Sequence, residues 1–132
     1  MSQGLKGQGF MRRLGHAWQG LASAWRLEAS LRTHAAATVV LVAVLSLTRA
    51  PAVWWATMAL TVATVVASEL FNTAIEALAD HLHPAIHPAI GLTKDVAAGA
   101  VLVCSLAALG VGLAFFLGHV WPWWCAGPSW PF

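Results

Sequence analysis

The sequence predicts an all-α membrane protein, with one amphipathic interfacial helix followed by three transmembrane helices. Three observations point there. Hydrophobic residues make up 59% of the 132 residues and charged residues only 9%, where a soluble domain carries about 25% charged residues. Three long stretches are free of charge. Ahead of them, a shorter stretch repeats its apolar residues at helical spacing. A chain this short and this apolar is solvated by a bilayer rather than by its own core, and the mean hydropathy of +0.72 agrees. The net charge of +2 is too small for a nucleic-acid partner. Cys104 and Cys125 form no CxxC or zinc spacing, so neither a disulfide framework nor a metal site is read from them. The N-terminal arginines fall inside the amphipathic stretch and not before an h-region, which argues against a cleaved signal.

The elements follow in order. Residues 1–9 are expected to be a flexible tail. Over about 10–28, Phe10, Leu14, Trp18, Leu21 and Trp25 form one apolar stripe, with Arg12, His16, Gln19, Ser23 and Arg26 on the other side. Aromatics on one face and arginines on the other suit a helix lying in the membrane interface; the bland alternative is a helix packed on a soluble partner. The first span is expected at about 30–48, the second at about 51–80 and the third at about 94–119. Their uncharged cores are Ala35 to Thr48, Ala50 to Ser68 and Val96 to Gly118, compared with the ~20 residues needed to cross a bilayer. Residues 10–120 thus make a single membrane domain. The tryptophan- and proline-rich tail at 121–132 reads as an outer-interface anchor.

Charge sets the orientation. Lys6, Arg12, Arg13, Arg26 and Arg32 precede the first span, whereas Arg49 alone marks the first loop. The positive-inside rule places the N-terminus in the cytoplasm. The second loop, with Lys94, then returns to the cytoplasm and the tail lies outside. Trp54, Trp55, Trp121, Trp123 and Trp124 cluster at the opposite interface, as an aromatic belt should.

All five acidic residues, Glu28, Glu69, Glu76, Asp80 and Asp95, map to the cytoplasmic level or just below it. Glu69, Asn72, Glu76 and Asp80 fall at i, i+3, i+7 and i+11, sharing an arc of roughly 80° on one helix, and Thr73 lies on the same stripe. Glu69 sits about 10 Å deeper than Glu76. A carboxylate at that depth is costly and points to function. Polar side chains can also hold membrane helices together, but three stacked acids with no lysine on their face repel one another. A cation bound with phosphate oxygens would relieve that repulsion, in the usual environment of magnesium.

The run Glu69-Leu-Phe-Asn72-Thr73-Ala-Ile-Glu76-Ala-Leu-Ala-Asp80, followed by Lys94-Asp95, closely resembles the prokaryotic diacylglycerol kinase family of small integral-membrane lipid kinases. Trp18-Gln-Gly20-Leu, and Glu28 with Arg32, also fit that family's N-terminal pattern. The resemblance covers roughly residues 10–120. It implies a homotrimer in the bacterial inner membrane whose active sites combine residues of neighbouring subunits. It implies MgATP as phosphoryl donor and diacylglycerol as acceptor. Carried over position by position, Glu69 would be the general base and Asn72 would orient Glu69 or the substrate. Glu28 and Glu76 would hold the metal that bridges the ATP phosphates. Asp80, Lys94 and Asp95 would complete the nucleotide site, with Lys94 neutralising charge on the transferred phosphoryl group. His87 fits the nucleotide-side loop. Arg32, Glu69 and Ala98 fall at lipid-facing positions. The chain carries no Gly-rich phosphate loop.

Departures from the family pattern are also visible. His16 stands where members often carry a tyrosine near the nucleotide base, and Ala98 where a serine is common. His81 and His83 read as loop histidines, with metal binding as the alternative. His34 resembles the undecaprenol kinase branch. Undecaprenol is therefore the competing acceptor, under the same mechanism. From another class, Glu69, Glu76 and Asp80 could line an ion pathway in a non-catalytic module. Such a pathway needs polar groups through the outer half of the spans, where Ala50 to Ser68 offers only threonines as polar groups ahead of its final serine.

Overall fold

The computed structural model describes residues 9–82 and 87–127. Expectations for Lys6, for His83 and for the last five residues of the tail fall outside the described residues. The rest is helical: α1 (Phe10–Leu27), α2 (Ala29–Leu47), α3 (Ala52–Leu82), α4 (Pro88–Phe115), a π turn (Phe116–Val120) and α5 (Trp121–Ala126). Three stretches are long and apolar enough to cross a membrane: Ala29–Leu47, Ala52–Leu82 and Pro88–Ala126. The protein is an all-α membrane protein.

A single residue separates α1 from α2. Glu28 is extended at φ −102° and ψ 116°, and its N–H closes the last turn of α1 on the Ala24 carbonyl at 2.8 Å. The apolar stripe of α1 is turned away from the rest of the chain: Phe10 is 75% and Trp18 71% exposed. An unpartnered stripe of this kind needs a bilayer surface or another subunit to cover it.

α2 stops in a Schellman motif. Arg49 enters the left-handed region at φ 50°, the Ala50 N–H reaches back to the Leu45 carbonyl at 2.9 Å, and the Arg49 N–H to that of Ser46 at 3.2 Å. These are the 6→1 and 5→2 bonds of the motif, and Leu45 and Ala50 make the apolar contact that goes with it. Pro51 follows, where a helix cannot continue.

α3 has 31 residues, or ~46 Å at 1.5 Å per residue. The hydrocarbon core is ~30 Å thick, so the C-terminal part of α3 stands clear of it, and this is the part that bears Glu76 and Asp80. α4 begins at Pro88, six residues ahead of the Lys94 expected to open the third span. His87 supplies the reason: its Nδ1 accepts the Ala89 N–H at 3.2 Å, and Pro88 takes the first helical position, which suits its fixed φ.

At the other end, residues 121–126 of the expected tail are helical and continue the third span. Pro122 has no N–H to give an i−4 carbonyl, and its ring would crowd that carbonyl in a regular α-helix. The ladder widens just before it, with the Trp121 N–H bonded to the Phe116 carbonyl five residues back.

The core sits at this tryptophan end. Leu45, Ala50, Met58 and Phe115 are buried, with Leu41, Val44, Trp54, Val111 and Val120 packed on them. The Phe115 ring meets Trp54 at 5.1 Å and stacks on His119 at 5.5 Å. His119 Nε2 lies 3.3 Å from the Thr48 carbonyl oxygen and 3.2 Å from its hydroxyl, which ties the π turn to the end of α2. A groove of about 660 Å³ opens between α2, α3 and α4, lined by residues from His34 down to Met58, Phe115 and Val120.

Candidate active site

The acids lie at the end opposite the core. Glu69, on α3, is 14% exposed at its side chain. α2 supplies two partners, one from each of two successive turns. The Ser30 hydroxyl donates to Glu69 Oε2 at 3.2 Å, and His34 Nε2 lies 3.4 Å from Oε1. Both carboxylate oxygens are therefore engaged.

One turn further along α3, Asn72 Nδ2 donates to Glu76 Oε1 at 2.7 Å. Asn72 thus turns toward Glu76 and not toward Glu69, the partner that sequence reasoning had offered together with the substrate. The i, i+4 spacing of Asn72 and Glu76 makes that pairing local and short. Asn72 Oδ1 is left buried with no hydrogen-bond partner among the described residues. An orphaned buried oxygen of this kind is rare and marks a place where an ion, water or ligand is wanted. Asp80, at the last exposed turns of α3, pairs with Lys94 of α4.

The remaining candidates spread around this line. Glu28 is half-buried at the α1–α2 break, and among the described residues no side-chain hydrogen bond reaches its carboxylate. Arg32 folds back along α2, and its Nη1 reaches the Trp25 carbonyl at 3.1 Å and that of Arg26 at 3.5 Å. It thereby satisfies carbonyls that the end of α1 leaves open. His87 caps α4. His16, His81, Asp95 and Ala98 are exposed.

No group of three or more histidine, cysteine, aspartate or glutamate side chains converges on a metal position among the described residues. The donor chemistry nevertheless fits magnesium. Glu76 and Glu28 are carboxylates, Asn72 Oδ1 is an unpaired amide oxygen, and magnesium takes few protein oxygens while keeping waters and substrate phosphates. Sequence reasoning missed Ser30, which it read as part of the first span, and it read His34 only as the mark of a family branch. Their i, i+4 spacing on α2 was the available signal, because it places both on one face.

A half-buried carboxylate at one end of an apolar three-span bundle, beside further acids and a lysine, is the arrangement of a membrane protein with a polar site at one end of its spans. The sequence profile of the prokaryotic diacylglycerol kinases matches residues 15–116, and the chain belongs to that family. It is 36% identical over 98 residues to a diacylglycerol kinase of Synechocystis sp., 32% over 108 residues to the undecaprenol kinase of Bacillus subtilis, and 31% over 99 residues to the diacylglycerol kinase of Escherichia coli. These matches cover 74%, 82% and 75% of this chain. They span 56% of the Synechocystis protein's length, 88% of the Bacillus protein and 81% of the Escherichia protein.

Proposed function

We propose that this protein transfers the γ-phosphoryl group of ATP to the hydroxyl of diacylglycerol, giving phosphatidic acid, at the cytoplasmic face of a bacterial inner membrane. The observation that carries the reading is Glu69: a carboxylate 14% exposed, on the helix that also carries Glu76 and Asp80.

Each step has a group to serve it. Glu69 removes the proton from the acceptor hydroxyl as the O–H bond breaks. The freed oxygen attacks the γ-phosphorus, and the bond to the β–γ bridging oxygen breaks with its electron pair leaving on ADP. Little covalent chemistry is asked of the protein beyond this, so positioning and charge do most of the work. Lys94, held by Asp80, brings positive charge to the nucleotide side. Asp95, His87 and His16 complete that side. Glu28 and Glu76 would hold the magnesium ion, which when bound neutralises phosphate charge. Asn72 keeps the Glu76 carboxylate in place through its 2.7 Å bond.

A homotrimer sharing sites between subunits suits the exposed acids and the uncovered stripe of α1. The excess of arginine before α2 supports a cytoplasmic N-terminus.

Undecaprenol is the second reading. His34 and the likeness to the Bacillus undecaprenol kinase favour it, and the mechanism would be unchanged. An ion pathway fits poorly, because Leu45, Met58 and Phe115 close the bundle at the far end with apolar side chains.

The deciding experiment offers labelled MgATP to the purified protein in mixed micelles with diacylglycerol or undecaprenol. Labelled phosphatidic acid in preference is the expected result. The reverse preference would move the function to carrier-lipid phosphorylation. Label in neither product, from an assembled protein with magnesium present, would overturn the kinase reading.

A further inference from the structure

His34 has two surroundings at once. It is hydrogen-bonded to Glu69, and it lines the end of the α2–α3–α4 groove nearest the acids. Glu69 itself is not a lining residue, and among the residues that form the groove wall His34 is the one titratable side chain. Its side chain is 31% exposed, about twice as open as that of Glu69. An acceptor whose hydrocarbon chain occupies the groove would bring its hydroxyl to the His34 end.

We propose that His34 and Ser30 are positioning residues for Glu69, an inference that rests on the kinase reading. The imidazole tautomer protonated at Nε2 donates to Oε1 while the Ser30 hydroxyl donates to Oε2. A glutamate side chain is flexible, and two donors from successive turns of one helix hold its carboxylate in a single orientation before substrate arrives. At 3.2 and 3.4 Å both contacts are longer than relaxed hydrogen bonds. Catalytic hydrogen bonds are commonly long before the substrate closes the site. Because α2 also forms one wall of the groove, the pair ties the orientation of the base to the helix that guides the acceptor. No other hydrogen bond to the Glu69 side chain is made among the described residues.

The test compares His34→Leu, His34→Gln and Ser30→Ala in the full-length protein, after wild-type transfer has been established. His34→Leu removes the donor, and kcat for diacylglycerol should fall about 10–100-fold, the worth of a hydrogen bond to a charged group. The KM for MgATP should stay unchanged. The amide nitrogen of Gln occupies the place of Nε2 and carries hydrogen, so His34→Gln should recover most of the lost kcat. Ser30→Ala should lose roughly 10-fold in kcat with the trimer intact. Wild-type kcat in His34→Leu would overturn the proposal. So would equal impairment of the Leu and Gln variants, or a loss expressed only in the KM for MgATP, since each describes packing rather than orientation of the base. Should the Leu variant fail to assemble, Ser30→Ala decides alone, and unchanged turnover there overturns the proposal. A wild-type protein that labels neither lipid fails at an earlier step and rejects the kinase reading itself.

Discussion

At the scale of single residues, the three acids of α3 have different neighbours, with Asp80 paired to Lys94 of α4. Glu69 is engaged by α2, and Glu76 by Asn72 of its own helix. Glu69→Gln is nearly isosteric and keeps hydrogen-bonding capacity, yet it cannot take up a proton. It should abolish transfer while leaving nucleotide binding in place, which equilibrium ATP binding alongside the transfer assay will check; substantial turnover would remove Glu69 as the base. Glu76→Gln should instead raise the magnesium requirement, read from a titration of activity against free Mg²⁺. The Asn72–Glu76 bond makes a sharper demand. Asn72→Ala should resemble Glu76→Gln, with a raised KM for MgATP, and not Glu69→Gln. A kcat loss at unchanged KM would return Asn72 to the Glu69 side. The line of acids was readable from their spacing, because helical periodicity depends on sequence alone. Which acid each polar neighbour would choose was not, since Asn72 lies within a turn of both.

At the scale of elements, hydropathy located all three spans, but their ends follow local chemistry that hydropathy does not weigh. α4 starts at Pro88 because His87 caps it, and the third span runs on to Ala126 through a π turn set just before Pro122. That turn brings His119 to Thr48 and its ring over Phe115. The packed cluster is far from Glu69, so stability and catalysis should separate. Leu45→Ala empties a filled site in that cluster, 2% exposed and outside the lining of the groove. It should cost about 3 kcal/mol and lower the thermal transition of the detergent-solubilised protein, with kcat below that transition unchanged. A matching loss of kcat at low temperature would show that the two ends are coupled.

At the scale of the whole molecule, the single chain leaves its acids open on one side and the α1 stripe uncovered, and Glu28 and Glu69 belong to different elements. If sites are completed between subunits, mixing two inactive variants, Glu28→Gln and Glu69→Gln, should regain part of the wild-type activity, measured after co-reconstitution at several ratios. Activity that stays at zero at every ratio would confine each site to one chain. The sequence by itself determined that this is a membrane protein, how many helices are long and apolar enough to cross, and that Glu69, Glu76 and Asp80 share one stripe of a helix. These are properties of composition and period, which a helix expresses wherever it lies. Only the tertiary structure decided that Ser30 and His34 meet Glu69, that Lys94 meets Asp80, that Arg32 turns back onto α1, and that His119 clasps Thr48. Ser30 and Glu69 stand 39 residues apart, and His119 and Thr48 stand 71 apart. Such pairs depend on how helices rotate about their axes and slide past one another as they pack. That rotation is settled by side-chain fit and by where Arg49 and Glu28 break the helices, and no periodicity within one helix records it.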